Sequence, residues 1–290
     1  MTSARYIRRQ LAVLSFLISV GCSESGLQNP NQPQPPPGGG RDTAAGKGAK
    51  PPARRPPGSA TVGVFRSAEF LLRNTNADGE PDVKVAFGAK GDIPVAGDWN
   101  GDGTTTVGVY RASEGKFYLR NTLTAGEPDV AVVFGGKDDV PLAGDWDGDG
   151  TWSVGVFRRS DATFVLRNAH TPGPPDVTVA WGVPDDVPLM GDWDGNGTAT
   201  LGVYRRKENR FYLRNSNTHG DVELTIPLGK AGDRPVVGDW DGNGTVTVGV
   251  FRPSEGTFYL TNAHAETPEP LKVVFGAAGD LPVAGNWDGK

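Results

Sequence analysis

One phrase is written five times in this chain. Thr61-Val-Gly-Val-Phe-Arg66 returns at 106–111, 153–158, 200–205 and 247–252, in steps of 45, 47, 47 and 47 residues. The shorter first step reflects two residues missing between Arg66 and Phe70. Behind each phrase follow copies of Phe117-Tyr-Leu-Arg-Asn121, then of Val130–Gly135, then of Val140-Pro-Leu-Ala-Gly-Asp-Trp146. Each run is rich in Val, Phe and Tyr and is bounded by Gly, Pro, Asn or Asp, as strands are. A period in the forties with four short strands per repeat predicts propeller blades. No heptad or amphipathic helical pattern competes, and 42 Gly with 24 Pro leave little room for long helices.

The frame of the repeats predicts how the ring closes. The chain stops at Asn286-Trp-Asp-Gly-Lys290, inside a loop that elsewhere reads Asp239-Trp-Asp-Gly-Asn-Gly244, and the repeats begin at Gly58 where that loop would resume. One blade is therefore expected to take its inner strand, Leu281–Trp287, from the C-terminal end and its other three from residues 61–88. The expected fold class is all-β: a closed five-bladed β-propeller of four-stranded antiparallel blades. Closure removes the unpaired edges of an open array. The small-residue runs ending at Gly97, Gly144, Gly191, Gly238 and Gly285 suit the crowded innermost position, with the Val-Gly-Val-Phe-Arg runs second. Antiparallel pairing of these two places Asp92 opposite Arg111, Asp139 opposite Arg158, Asp186 opposite Arg205 and Asp233 opposite Arg252. Ring closure adds Asp280 opposite Arg66.

Residues 1–60 have another character. Arg5, Arg8 and Arg9 precede the Leu11–Val20 run, which meets Gly21-Cys22. A basic start, a ten-residue apolar stretch and a small residue before the cut describe an export signal too short to span a bilayer. The cysteine at that point resembles the lipidated residue of bacterial lipoproteins, although Ser19 stands where that box prefers Leu. Residues 1–22 are thus expected to be a signal with Cys22 lipidated. Residues 23–60, rich in Pro and Gly, are expected to be a disordered linker. The expected location is a bacterial envelope, anchored at the outer membrane or cell surface, with secretion or the periplasm as the alternative.

Four loops carry the strongest chemical signal. Asp98-Trp-Asn-Gly-Asp-Gly-Thr104, Asp145-Trp-Asp-Gly-Asp-Gly-Thr151, Asp192-Trp-Asp-Gly-Asn-Gly-Thr198 and Asp239-Trp-Asp-Gly-Asn-Gly-Thr245 share one grammar. Oxygen side chains stand at positions 1, 3 and 5 (Asp98, Asn100, Asp102; Asp145, Asp147, Asp149; Asp192, Asp194, Asn196; Asp239, Asp241, Asn243). Gly at position 6 permits a sharp turn, and the carbonyl of Thr104, Thr151, Thr198 or Thr245 is the expected fourth ligand. Hard oxygens on a flexible loop suit Ca²⁺. Valine at position 12 replaces the bidentate Glu of an EF-hand. The bland alternative is a set of Asp-Gly turns stabilised by their own side chains. Residues 61–290 hold 21 Lys and Arg against 32 Asp and Glu, and nearly all of the excess lies in these loops.

Together, the Phe-Gly, Gly-Asp-x-Pro, Gly-Asp-Trp-Asp-Gly-Asp-Gly and Val-Gly-Val-Phe-Arg segments resemble the FG-GAP/VCBS-type repeats of bacterial secreted proteins. These are relatives of the calcium-loop blades of integrin α-subunits. The resemblance covers residues 61–290 and implies a β-propeller with Ca²⁺ in the hairpin between the first two strands. It departs from the family at position 9, where Thr106, Ser153, Thr200 and Thr247 replace the usual Asp. Losing that carboxylate points to weak affinity, on the order of 10⁻⁴–10⁻³ M.

A formal net charge of −5 argues against nucleic acid. One cysteine excludes an intramolecular disulfide and multi-cysteine zinc sites. His170, His219 and His264 fall at non-matching places in the repeats and are read as solvated. Trp99, Trp146, Trp193, Trp240 and Trp287 either fill wedges between blades, the favoured reading, or make sugar platforms as in tachylectin-type lectins. Arg73, Arg120, Arg167 and Arg214 are assigned to strand ends and turns. A basic rim of Arg158, Arg159, Arg205, Arg206, Lys207 and Arg210, near Lys137, Lys230 and Arg234, is the candidate surface for an acidic glycan or protein, with simple solvated loops as the favoured alternative. The expected function is a monomeric, tethered, calcium-stabilised module that binds a protein or glycan without catalysis. The alternatives are a propeller enzyme acting on glycans or phosphate esters, and a purely structural envelope protein.

Overall fold

The computed structural model describes residues 58–266 and 268–290. The expected signal, Cys22 and the linker up to residue 57 lie outside the described residues. All regular structure among the described residues is strand. The closing blade holds β1 (Thr61–Arg66), β2 (Glu69–Leu72) and β3 (Val83–Ala86). The second blade holds β4 (Ile93–Gly97), β5 (Thr106–Arg111), β6 (Lys116–Leu119) and β7 (Val130–Val133). The third holds β8 (Val140–Gly144), β9 (Ser153–Arg158), β10 (Thr163–Leu166) and β11 (Val177–Ala180). The fourth holds β12 (Val187–Gly191), β13 (Thr200–Arg205), β14 (Arg210–Leu213) and β15 (Leu224–Pro227). The fifth holds β16 (Arg234–Gly238), β17 (Thr247–Arg252), β18 (Thr257–Leu260) and β19 (Leu271–Val274), and β20 (Leu281–Gly285) ends the chain.

Five four-stranded antiparallel sheets form a five-bladed β-propeller, and the closing sheet has the order β20-β1-β2-β3. β20 pairs with β1 in the register Thr61↔Gly285 to Phe65↔Leu281. The inner strands β4, β8, β12, β16 and β20 touch in a continuous circle. The seam is fastened where the sequence places it: Arg66 Nε and Nη2 each donate to Asp280 at 2.7 Å.

Composition explains each strand's position. The second strand of every blade is buried on both faces, so its Val-Gly-Val-Phe run is continuously apolar, whereas the outer strands alternate. The core is divided among five clusters, each joining neighbouring blades. One runs from Val95, Trp99 and Phe117 of the second blade to Val154, Val156 and Val165 of the third. Within each blade a cross-strand aromatic pair fixes register, as Phe157 and Phe164 do with ring centres 4.9 Å apart. Glycine closing each inner strand is a steric requirement. A Cβ on Gly144 would lie 2.5 Å from the Trp146 ring and 3.0 Å from Ala199 of the next blade.

Loop-to-loop hydrogen bonds join each blade to the next. The Asp98 carbonyl accepts from Trp152 N–H, Asp145 from Ala199, Asp192 from Val246, Asp239 from Ala60 and Asn286 from Thr105. The last two bonds carry the pattern across the seam.

Asp280 is almost fully buried, while the Arg66 side chain is 47% exposed. Removing the carboxylate strands a partly solvated cation and breaks the seam. Asp280→Ala is therefore expected to cost about 2 kcal/mol, below the 3–5 kcal/mol of a fully buried pair. A lowered urea midpoint at unchanged slope checks this.

Candidate functional site

The strand directions separate two sets of side chains. The aspartate loops follow the inner strands on one face. The Asp–Arg pairs stand at the opposite ends of the same strands, on the other face, because pairing is antiparallel from Ile93↔Tyr110 to Gly97↔Thr106.

On the loop face, the first aspartate of each loop folds the turn. Asp98 Oδ1 accepts from Asp102 N–H at 3.1 Å and Oδ2 from Gly103 N–H at 2.7 Å. Asp145 and Asp239 receive their own loops' amides in the same way, as does Asp192. Position 6 needs glycine because its φ is near +90°, as at Gly103 and Gly244. Burial raises the carboxyl pKa of Asp98, Asp192 and Asp239. The loop amides oppose that rise, and the neighbouring carboxylate of Asp102, Asp194 or Asp241 adds to it.

The four loops differ in charge. Asp145, Asp147 and Asp149 bring three carboxylate oxygens within 4.8 Å of one another, an all-oxygen set that fits a hard cation. Two other loops place an amide against the acid: Asn100 Nδ2 donates to Asp102 at 2.9 Å and Asn196 Nδ2 to Asp194 at 3.0 Å. In the seam loop, Asn286 Nδ2 turns away to the Gly103 carbonyl and Asp288 pairs with Lys290 at 3.2 Å. The departure at position 9 has a structural reason. Thr106 Oγ1 donates into the blade, to the Arg120 carbonyl at 2.7 Å, and lies 3.3 Å from the Gly97 carbonyl; Thr247 does the same with Thr261 and Gly238. A carboxylate cannot donate there, so position 9 serves the sheet.

The five repeated tryptophans are buried wedges, at 2–6% exposure, and offer no sugar platform. Arg73, Arg120, Arg167 and Arg214 do organise turns: each guanidinium gathers the carbonyls of the loop that follows it.

The histidines need correcting. His170 and His264 are equivalent positions two repeats apart and are half-buried. His170 Nε2 donates to the Trp152 carbonyl at 2.9 Å and His264 Nε2 to Val246 at 3.1 Å. In the closing and fourth blades, Asn76 and Asn217 donate to the matching carbonyls of Ala60 and Ala199. The signal was missed because two chemically different side chains perform one task. Burial lowers the pKa of both histidines, against the opposing pull of the carbonyl each one faces.

On the opposite face, four of the five expected ion pairs form: Asp92–Arg111, Asp186–Arg205 and Asp233–Arg252 at 2.9 Å, and Asp280–Arg66. Three of these arginines are clamped further. Arg111, Arg205 and Arg252 lie 4.3–4.6 Å over Tyr118, Tyr212 and Tyr259, and each reaches a glutamate, Glu114, Glu208 or Glu255. The Asp139–Arg158 pair does not form. Val165 stands where the tyrosine would be, and Asp161 replaces the glutamate with a shorter side chain. Arg158 is exposed instead. Asp139 keeps its turn bond from Gly136 N–H at 2.9 Å but is half-buried, whereas its four counterparts are buried. Nearby, Tyr110 donates to the Gly136 carbonyl at 2.6 Å; burial, then the Asp139 charge, pushes its pKa up to about 12.

The basic rim therefore divides. Arg205 is locked, Lys207 pairs with Asp185 at 2.8 Å, and Arg234 donates to the Asp280 carbonyl. Arg158, Arg159, Arg206 and Arg210 are exposed and lack an ion-pair partner among the described residues.

No family model matches this chain, and no curated protein does. Among solved structures it is similar to a lectin of Agrocybe aegerita described as recognising non-reducing terminal N-acetylglucosamine. That match is 17% identical, covers 74% of this chain and 76% of the other, and has a TM-score of 0.39. A likeness that distant carries no functional inference.

The histidines predict a pH dependence. A histidine whose folded pKa lies below its unfolded value of about 6.5 stabilises the fold above that pH and loses this contribution as pH falls through it. Thermal melting at pH 7.5 and pH 5 should show a drop that shrinks in His170→Asn/His264→Asn, since asparagine already serves this position in other blades.

Proposed function

We propose that the chain is an FG-GAP/VCBS-like propeller, tethered at a bacterial surface through its N-terminal segment and stabilised by Ca²⁺, that binds a protein or glycan and performs no catalysis. The observation that carries this reading is the division of chemistry between the faces. Acidic loops gather on one, while the other combines locked ion pairs with cations that have no ion-pair partner among the described residues. The first arrangement suits ion capture and the second suits recognition of an external acidic group. In the Asp145 loop, Asp147, Asp149 and the Thr151 carbonyl would complete the ligand set. The loops beginning at Asp98, Asp192 and Asp239, with two carboxylates and one amide each, would hold Ca²⁺ more weakly. Bound ion would offset the charge that burial and neighbouring acids disfavour on the first aspartate. The reading of Cys22 as the lipid anchor rests on sequence alone.

Calorimetric melting in Ca²⁺ and in chelator tests the metal. One loop filled at ten times its Kd adds about 1.4 kcal/mol, or about 3 °C in Tm for a domain of this size. The shift should shrink most in Asp145→Asn/Asp147→Asn/Asp149→Asn. An unchanged Tm across millimolar Ca²⁺ contradicts the reading. Binding of the full chain to a glycan array and to envelope proteins, alongside assays on glycoside and phosphate-ester substrates, tests the non-catalytic role.

A further inference from the structure

The one unformed ion pair lies beside an open groove. Between the second and third blades is a cavity of about 570 Å³ whose lining includes the apolar Phe134, Val156 and Val165, the cations Lys137, Arg158 and Arg159, and the carboxylates Asp138 and Asp139. That volume falls in the usual range for small-ligand sites. The repeat supplies an internal control. The equivalent groove between the closing and second blades, about 550 Å³, is lined by Arg111 and Tyr118. There the guanidinium is held by Asp92 and Glu114 and stacked on the tyrosine ring. In the groove of the third blade Val165 and Asp161 stand at those two positions and Arg158 is exposed, whereas in the closing blade Arg66 keeps its aspartate with Leu71 in place of the tyrosine.

The unformed pair leaves two complementary groups. Lys137, Arg158 and Arg159 present cationic donors with no ion-pair partner among the described residues. Asp139 Oδ2 accepts from Gly136 N–H, but the guanidinium that bonds both carboxylate oxygens in the other four blades is not bonded to it. Donors for a carboxylate and an acceptor for hydroxyls therefore line one groove, together with the largely buried Phe134, Val156 and Val165. An acidic peptide side chain offers a carboxylate without neighbouring hydroxyls and brings no donor to Asp139 beyond the Gly136 amide it already has.

We propose that this groove binds a sugar acid: a uronic-acid residue whose carboxylate pairs with Arg158 and Lys137 and whose hydroxyls donate to Asp139. This rests on the reading of the head as a binding module and narrows its ligand to one class at one of five inter-blade positions.

The test is calorimetric titration of the full chain, in millimolar Ca²⁺, with glucuronic acid, digalacturonate, glucose and a glutamate peptide. The acids are expected to bind, with glucose at least tenfold weaker and salt weakening the acids only. Arg158→Ala should reduce affinity for the acids at least tenfold at unchanged Tm, while Lys84→Ala, at an exposed position of the closing blade, leaves it intact. Val165→Tyr/Asp161→Glu rebuilds the clamp and should abolish binding while raising Tm. No binding of either acid, or acid binding that survives Arg158→Ala, overturns the groove assignment. So does tighter binding of the glutamate peptide. Glycan or protein binding elsewhere on the head that Arg158→Ala leaves untouched also overturns the groove but keeps the module.

Discussion

Everything in this molecule depends on the fact that no blade can cover its own faces. The second strand of each blade is apolar on both sides, and its partners are side chains of the adjacent blade. A row of such units must either end in two bare apolar faces or curve back on itself. Handing β20 to β1 solves this, because the last sheet cannot be completed unless the chain ends meet. The same circular logic appears in the loop-to-loop hydrogen bonds, which treat the seam as they treat every other boundary.

A ring of near-identical units fixes a framework and leaves function to the exceptions. The tryptophans, the turn arginines and the position 9 hydroxyls all serve the framework, and their recurrence follows from that duty. Departures from repetition are more informative. The Asp145 loop has three carboxylates where its neighbours have two and an amide. Blade three is the one blade whose arginine, Arg158, does not meet its aspartate. These two departures lie on opposite faces, so changes in one need not disturb the other.

The architecture was legible in the sequence because it rests on period and register, which a one-dimensional string records faithfully. The step of 47 residues gave the blade, and the interrupted loop gave the seam. The antiparallel sum that pairs Asp92 with Arg111 extended correctly to Asp280 and Arg66. The failures lie with side chains at equivalent backbone positions. Asp139 and Arg158 satisfy the register yet do not meet, and the absence of a tyrosine and glutamate is not sufficient cause, because Arg66 pairs with Asp280 beside Leu71. His170 and His264 escaped notice because Asn76 and Asn217 perform the same donation with a different residue. Lys207 belongs to the rim by composition, but its partner Asp185 lies on a loop that composition does not flag, while Arg205 belongs to the rim and to the register pair with Asp186 at once, and the pair prevails.

The most direct measurement of the closed ring is denaturant unfolding of the chain shortened to residue 280, beside the full chain, in the same buffer. If β20 is the inner strand of the closing blade, the shortened protein loses both the seam and its loop bond to Thr105. Its unfolding should then become broad, with a lowered midpoint and probe-dependent transitions. A single sharp transition at the full-length midpoint would contradict a ring closed by β1 and β20.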